Sequence, residues 1–535
     1  MLYFKLLVKQ SKFYFLLSLL AVCILYSAIT LPALLQKSHV LYNLEPYPDG
    51  LLYALSARNF AMTGEFALRY QDTQLAFWTQ PLYSLLLIPM YLLNSQPQVF
   101  FVSNYIMGLS TLILVSLTLW KRTKNIVLVL LGQLILLSHG YFIWVAQLPM
   151  AENAVLLLVA LLLYVLLNTR EWQLKNLLLC GVIAAGLALT KYTLIPVAAG
   201  VCTLCLWWYS KDSHYTYKKS IFAALLSIPL VVAFFLGLVG QGVSFIQGLQ
   251  GENAFFSTNY IATNLLSYAQ KIAATTAIPG AFLWSTTPLT SLALVATGIV
   301  SLLVVWRSSQ LSERRAAVAG VVIIILQLPL LLLFYVSDAR YVIGLLIPLA
   351  VFIPLAGASI IRKKSKLLFA WIVVVFSLQI FAQYPLYKEI IASNLFGRSN
   401  AWQQQSILHF NRFMSTTGSN EKPQTLITAL PPFLVTAYQT STYSLLPLSQ
   451  HQEFLAKNEF VWGTQIEYTN LHEMYKKLLA AGTPLYISNA YVTQQQSVIT
   501  DFELIKENFT LQVVSEGCDH ACDIFEIQLK QGATQ

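Results

Sequence analysis

Asp49, with Glu45 ahead of it and Tyr53 and Arg58 behind it, lies in a polar break between two apolar segments. The stretch reads Glu45-Pro46-Tyr47-Pro48-Asp49, and it opens a run with helical spacing that closes at Gly64. A positioned carboxylate can take the proton of a reacting hydroxyl. An arginine fork suits phosphate because it donates two bonds at once. Charge at the edge of a membrane is costly unless it has a task or a partner. Asp49 therefore reads as a catalytic base facing a lipid-borne substrate, with Arg58 on the same helix as a phosphate contact. Structural readings of the same residues stay open. Asp49 also suits a helix N-cap, and Arg58 could simply snorkel to the interface.

Three further charged positions lie at the ends of apolar segments. Glu152 follows Gln147-Leu148-Pro149-Met150-Ala151, where it can be either a second acid of a site or a helix-start carboxylate. Lys191, between Thr190 and Tyr192, borders apolar helices and needs an anionic neighbour, which a lipid headgroup or a lipid phosphate would supply. Arg340-Tyr341 poses the same problem, with Asp338 close enough in sequence to be its partner.

These residues sit in a chain of 535 residues that is 57% apolar and 10% charged, with a formal net charge of +10. Soluble proteins carry about 25% charged residues, so this is a polytopic membrane protein. Eighteen of the 33 lysines and arginines fall in six clusters between apolar segments: residues 5–12, 121–124, 170–175, 211–219, 307–315 and 362–366. Only Glu171, Asp212 and Glu313 accompany them. That is the positive-inside pattern, not the basic groove with interleaved aromatics that nucleic acid requires. About eleven spans follow, over 13–36, 98–120, 126–146, 153–169, 174–190, 193–210, 220–240, 288–306, 316–336, 342–361 and 367–384. The first reads as a retained span and not a cleaved signal. The apolar run 81–93 is short for the roughly 20 residues a span needs. If it crossed, every later basic cluster would face outward, so it reads as a juxtamembrane or re-entrant helix. Asp49, Glu152, Lys191 and Arg340 then share the outer face, although none of them was used to set the topology.

From about residue 385 the chain becomes polar. Strand-like runs at 425–429 and 484–488, with an amphipathic helical stretch within 454–481, indicate an outer α/β domain. The expected division is 1–384 for the membrane domain and 385–535 for the outer one. Cys23, Cys180, Cys202 and Cys205 read as small core residues. Cys518-Asp519-His520-Ala521-Cys522 is weak as a metal site and better suited to a local disulfide. No Gly-rich phosphate loop, Walker pattern, HExxH or GxSxG is present.

The motifs resemble those of GT-C glycosyltransferases, in the branch of bacterial protein mannosyltransferase-like and aminoarabinose transferase-like enzymes. Pro48-Asp49-Gly50, Tyr53, Ala57-Arg58-Asn59 and Gly64-Glu65-Phe66 are similar to the first outer-loop motif of that family. Gln80-Pro81-Leu82-Tyr83 resembles its Pro-Pro-Leu-Tyr segment, and Glu152 stands where a second outer-loop acid is carried. Gly186 to Lys191 resembles a Gly-Leu…Thr-Lys segment, and Arg340-Tyr341 with Pro348 a late Arg-Tyr motif. Two departures are Gln80, where relatives carry a basic residue or proline, and Gly50, where an acid would follow the first one.

The resemblance implies a GT-C membrane domain over residues 13–384, in a multi-pass protein of the bacterial plasma (inner) membrane with its N-terminus cytoplasmic. It implies inverting transfer of a sugar from a polyprenyl-phosphate donor to a hydroxyl on a lipid, protein or wall-polymer acceptor. Asp49 would be the base with Glu152 assisting. Arg58, Tyr53, Lys191, Arg340 and Tyr341 would bind substrate and phosphate. No metal-binding set is expected from the residues; the departures leave a divalent cation open, and no other cofactor is implied. Two other readings compete: a transporter or flippase of lipid-linked saccharides, and a non-catalytic scaffold. The topology predicts that a tag at Gln535 is reachable from outside intact cells; a tag protected until the membrane is permeabilised would overturn the orientation.

Overall fold

The computed structural model describes residues 2–35, 49–64, 68–70, 73–75, 81–93, 98–146, 149–212, 258–265, 288–333, 343–362, 370, 401–417, 424–430, 443–449, 471–490, 492–494 and 496–530. The chain divides into two compact units. One comprises 1–35, 78–90 and 98–395, and the other 36–77, 91–97 and 396–535.

The first unit is a helical bundle. It contains α1 (Leu2–Leu35), most of α3 (Pro81–Leu93), α4 (Gln98–Thr123), α5 (Ile126–Leu137), α6 (Gly140–Val145), α7 (Glu152–Asn168), α8 (Leu174–Thr190) and α9 (Ile195–Asp212). After these come α10 (Pro288–Trp306), α11 (Leu311–Leu333) and α12 (Leu346–Arg362). Among the described residues, Lys12–Leu31, Val99–Thr123 and Leu311–Leu333 are long and apolar enough to cross a membrane by themselves. The expected spans 220–240 and 367–384 fall outside the described residues, apart from residue 370. Helix α3 is 13 residues long, as its short apolar run predicts.

The stretch expected as one span over 126–146 is instead two helices. Ser138 closes α5 through its amide to the Leu134 carbonyl at 2.8 Å, and the His139 amide turns back to Leu136 at 3.2 Å. The chain then restarts at Gly140 as α6. The preceding turn has an equally local cause. Lys124 takes a left-handed conformation (φ 51°) that ends α4, and the Asn125 side chain caps α5 by accepting from the Val127 amide at 2.9 Å.

Without a strong hydrophobic force between helices in lipid, small residues and paired polar groups hold such a bundle together. Gly132 shows the first: a Cβ there would lie 2.7 Å from the Ala350 carbonyl oxygen and 2.3 Å from a Leu119 methyl, so α4, α5 and α12 meet at a glycine. Ala184, Ala188 and Ala198 let α8 and α9 approach in the same way. Gln133 shows the second: its amide donates to Ser116 Oγ at 2.7 Å, and Ser116 donates to its own helix at the Leu112 carbonyl.

The basic end of the bundle is closed by two ion pairs converging on the start of α11. Arg315 makes a two-pronged bond to Asp212 at the end of α9, at 2.6 and 2.8 Å, and lies 5.8 Å from the Trp208 ring. Asp212 also accepts from the Trp172 amide at 3.1 Å. Arg122 at the end of α4 reaches Glu313 at 3.2 Å and Gln310, while Ser308 donates to Glu313.

The second unit contains α2 (Asp49–Thr63), the antiparallel pair β1 (Leu68–Tyr70) and β2 (Thr73–Leu75), and a C-terminal α/β domain. That domain is built from α13 (Ala401–Thr417), β3 (Thr425–Thr428), β4 (Ser444–Pro447), α14 (Leu471–Ala480), β5 (Leu485–Ser488), α15 (Gln496–Asn508), β6 (Phe509–Ser515) and β7 (Ile524–Leu529). The sheet order is β4-β3-β5-β7-β6; β4, β3 and β5 are parallel, while β7 and β6 run antiparallel. Alternation along β5 sends Leu485 and Ile487 into a core with Tyr475 of α14 and Phe502 and Ile505 of α15. Tyr486 points the other way and meets Phe413 of α13 edge-on at 5.0 Å. Cys518 and Cys522 form a disulfide.

Breaking one partner of a buried ion pair costs about 3–5 kcal/mol. Arg315→Ala, which strands Asp212 at the basic end, should lower the thermal unfolding midpoint of the protein in lipid nanodiscs by several degrees. An unchanged midpoint would remove the clamp from the account of stability.

Candidate functional site

At the end of the bundle opposite the ion-paired basic clamp, the structure brings together two of the residues singled out by sequence. Glu152 begins α7 and is 1% exposed. Lys191 terminates α8 in an extended conformation, its amide bonded to the Leu187 carbonyl, and the next residues turn into a short 3₁₀ segment. That turn carries Lys191 Nζ to within 2.5 Å of Glu152 Oε1. Two antiparallel neighbours are thereby joined where one starts and the other stops. The carboxylate also sits at the positive end of the α7 dipole. The second oxygen, Oε2, is buried and takes no hydrogen bond among the described residues.

Tyr83, which the sequence offered only as part of the Gln80–Tyr83 motif, and three polar residues not singled out there complete this end of the bundle. Tyr83 of α3 is fully buried and lies near Glu152. It exchanges hydrogen bonds with Asn104 of α4, Tyr83 Oη to Oδ1 at 2.9 Å and Nδ2 to Oη at 2.6 Å. Ser84 Oγ, one residue on, is buried without a hydrogen bond among the described residues. Asn153 donates to the Val145 carbonyl at 2.6 Å and fixes the start of α7 to α6. The signal for Asn104 was available: an amide inside an otherwise apolar span is costly and so marks a partner. Gly186 sets the spacing, because a Cβ there would meet Leu158 of α7 at 3.3 Å and Leu82 of α3 at 3.4 Å.

The other sequence-selected residues are distributed differently. Asp49 is the first residue of α2, and Tyr53 follows one helical turn later. Tyr53, Ala54, Ser56 and Ala57 are buried, and Arg58 is largely so. Burial lowers the pKa of the Arg58 guanidinium, with nearby Tyr91 acting in the opposite direction. Gly64, at φ 74°, ends the run by donating to the Phe60 carbonyl at 2.8 Å. These residues belong to the second unit, whereas Glu152 and Lys191 belong to the first. Glu45, Arg340 and Tyr341 lie outside the described residues. Among the described residues, no group of three or more His, Cys, Asp or Glu could hold a metal ion.

No protein-family model matches the sequence, and comparison with curated proteins gives no sequence match. Solved structures do match in three dimensions. ArnT from Cupriavidus metallidurans in the apo state superposes with a TM-score of 0.58 at 11% identity, over 94% of this chain and 97% of that one. The same protein bound to undecaprenyl phosphate gives a TM-score of 0.59 at 12% identity with the same coverage. The chain therefore shares the fold of these structures: a helical bundle with a C-terminal mixed α/β domain.

A buried ion pair behaves differently when broken than when replaced. Lys191→Ala leaves Glu152 buried and unpaired and should be strongly destabilising. The double variant Glu152→Gln/Lys191→Met should recover much of the loss, giving a coupling of about 3 kcal/mol in a double-mutant cycle read by thermal unfolding. Additive effects would show that the two groups do not act as a pair.

Proposed function

We propose that this protein is an inverting glycosyltransferase that moves a sugar from a polyprenyl-phosphate donor to an acceptor hydroxyl on the extracytoplasmic face. The observation that carries the reading is the buried Glu152–Lys191 pair, with one carboxylate oxygen uncommitted, at the end of a GT-C-type bundle. A buried charge pair in an apolar frame is expensive to keep, which supports a task beyond packing.

In this reading the acceptor oxygen attacks the anomeric carbon as the bond from that carbon to the phosphate oxygen breaks. Asp49 takes the acceptor proton, and Glu152 assists. Polyprenyl phosphate leaves with the bonding electron pair, so no general acid is required. Lys191, Arg58 and Arg340 stabilise the charge growing on the phosphate, with Tyr53 and Tyr341 as further substrate contacts. ArnT is bound to undecaprenyl phosphate in one of its structures, and a lipid phosphate of that class is the ligand this reading assigns here. Residues 1–384 would form the catalytic membrane domain and 385–535 the outer domain.

A transporter of the same lipids would have to part the cytoplasmic ends of its helices. The Arg315–Asp212 and Arg122–Glu313 pairs hold those ends together, which favours chemistry at one face.

The test is sugar transfer by wild type and Asp49→Asn in nanodiscs, with a panel of radiolabelled polyprenyl-phosphate sugars and membrane extract as acceptor. Wild type should release free polyprenyl phosphate with one donor. The folded variant should be slowed at least about 100-fold, the lower range for general-base catalysis. Equal rates would reduce Asp49 to a helix cap.

A further inference from the structure

The C-terminal domain has a feature that the transfer reading does not use. Its first parallel strand, β3, is central. The chain steps from it to β4 on one side and later to β5 on the other. Connections therefore leave the carboxyl ends of β3 and β5 in opposite directions. In open α/β sheets, the crevice outside such a switch point is where ligands bind.

Named side chains fill this edge. Thr428 and Ser488 end the two strands, both fully buried, and each hydroxyl accepts from an amide two residues on, at 3.1 Å. Asn489 follows Ser488. Its side-chain amide donates to the His520 carbonyl at 2.9 Å, and its own backbone amide donates to the Asp523 carbonyl at 3.3 Å. Asn489 Oδ1 is buried and receives no hydrogen bond among the described residues.

The disulfide loop 517–523 is therefore bolted to the end of β5. Asp523 accepts from the Gly517 amide at 2.9 Å and from His520 Nδ1 at 3.1 Å. Cys518, Asp519 and His520 hold three successive left-handed conformations, at φ 53°, 50° and 66°. Side chains without glycine's freedom adopt these only where surrounding structure imposes them. The result presents the His520 ring, 70% exposed, with its second nitrogen directed away from the Asp523 bond. Asp523 raises the His520 pKa, first through that bond and then through its charge; Glu516 and Asp519 add to the same effect.

The edge is rich in acceptors: Asn489 Oδ1 and, beside His520, the exposed carboxylates of Glu516 and Asp519. An anionic ligand is disfavoured there. A ligand with several hydroxyl donors and ring oxygens, able to take the His520 N–H as well, is matched. We infer that the carboxyl edge of β3 and β5, with Asn489 and His520, is a binding site for the saccharide of the acceptor. The assignment deepens the transfer reading and rests on it for the word acceptor, but saccharide binding itself stands apart from transfer.

The experiment uses the full chain in nanodiscs, which carry no sugar headgroup. Saturation-transfer NMR with methyl glycosides of hexoses, pentoses and 6-deoxyhexoses should detect binding of at least one of them and none of glycerol. His520→Ala changes an exposed side chain, and Asn489→Ala removes the orphan acceptor. Each should weaken binding about tenfold, the effect of losing roughly one good hydrogen bond, with the disulfide intact and the melting temperature of His520→Ala unchanged. Asp49→Asn should bind the glycoside as wild type does, so loss of transfer and loss of this site are told apart. If wild type binds no glycoside, or His520→Ala binds as well as wild type, the site is refuted. In the transfer assay His520→Ala should raise the KM for acceptor alone; a raised KM for the donor lipid would overturn the acceptor assignment.

Discussion

A carboxylate and an ammonium shut away from water must find each other, and the end of the bundle away from the basic clamp is organised by that requirement. Glu152 is tolerable at 1% exposure only because Lys191 reaches it from the end of the neighbouring helix. The pair fixes where α7 begins and where α8 stops. It also determines what can pack around them: Leu82, Leu158 and Gly186 close the apolar side, and Tyr83 with Asn104 supplies the polar one. The same rule operates at the opposite end, where Arg315 engages Asp212 and Arg122 engages Glu313. Between the two ends, Gln133 and Ser116 pair without charge.

Much of this was legible in the chain because membrane proteins advertise their elements by hydropathy. The bounds of α3 and α8 match the apolar runs residue for residue. The break at Ser138-His139 did not show, since a tight turn among apolar residues leaves the hydropathy of 126–146 almost intact. Glu152 and Lys191 could be selected individually as costly charges, yet nothing in a single sequence states that residues 39 positions apart are partners. The pairing of Tyr83 with Asn104 was hidden for a related reason: the two residues meet only when α3 and α4 are packed. Asp49 remains as the sequence presents it, the start of a helix.

The C-terminal domain was legible in outline from its strand runs at β3 and β5. Its order was not. That β4 and β5 flank β3, and that β7 runs against both β5 and β6, depends on which strands the crossovers bring together, and no single strand run states it. The Cys518–Cys522 disulfide followed from compartment and spacing, whereas the left-handed run inside it is a property of the closed loop and could not be inferred from residue types.

The clamp at the basic end also constrains how the molecule is made. Asp212 and Arg315 are 103 residues apart, and Arg122 precedes Glu313 by 191. At ribosomal rates of about 5–20 residues per second, Asp212 emerges some 5–20 seconds before Arg315 exists to receive it. The helices from α4 to α9 must therefore enter the membrane with two countercharges still outstanding, kept in water or at the headgroups until α11 arrives. Until α11 arrives neither ion pair can close. A chain truncated before residue 311 would keep nearly all of the helices that pack around Glu152 and lack the piece that fastens their other ends.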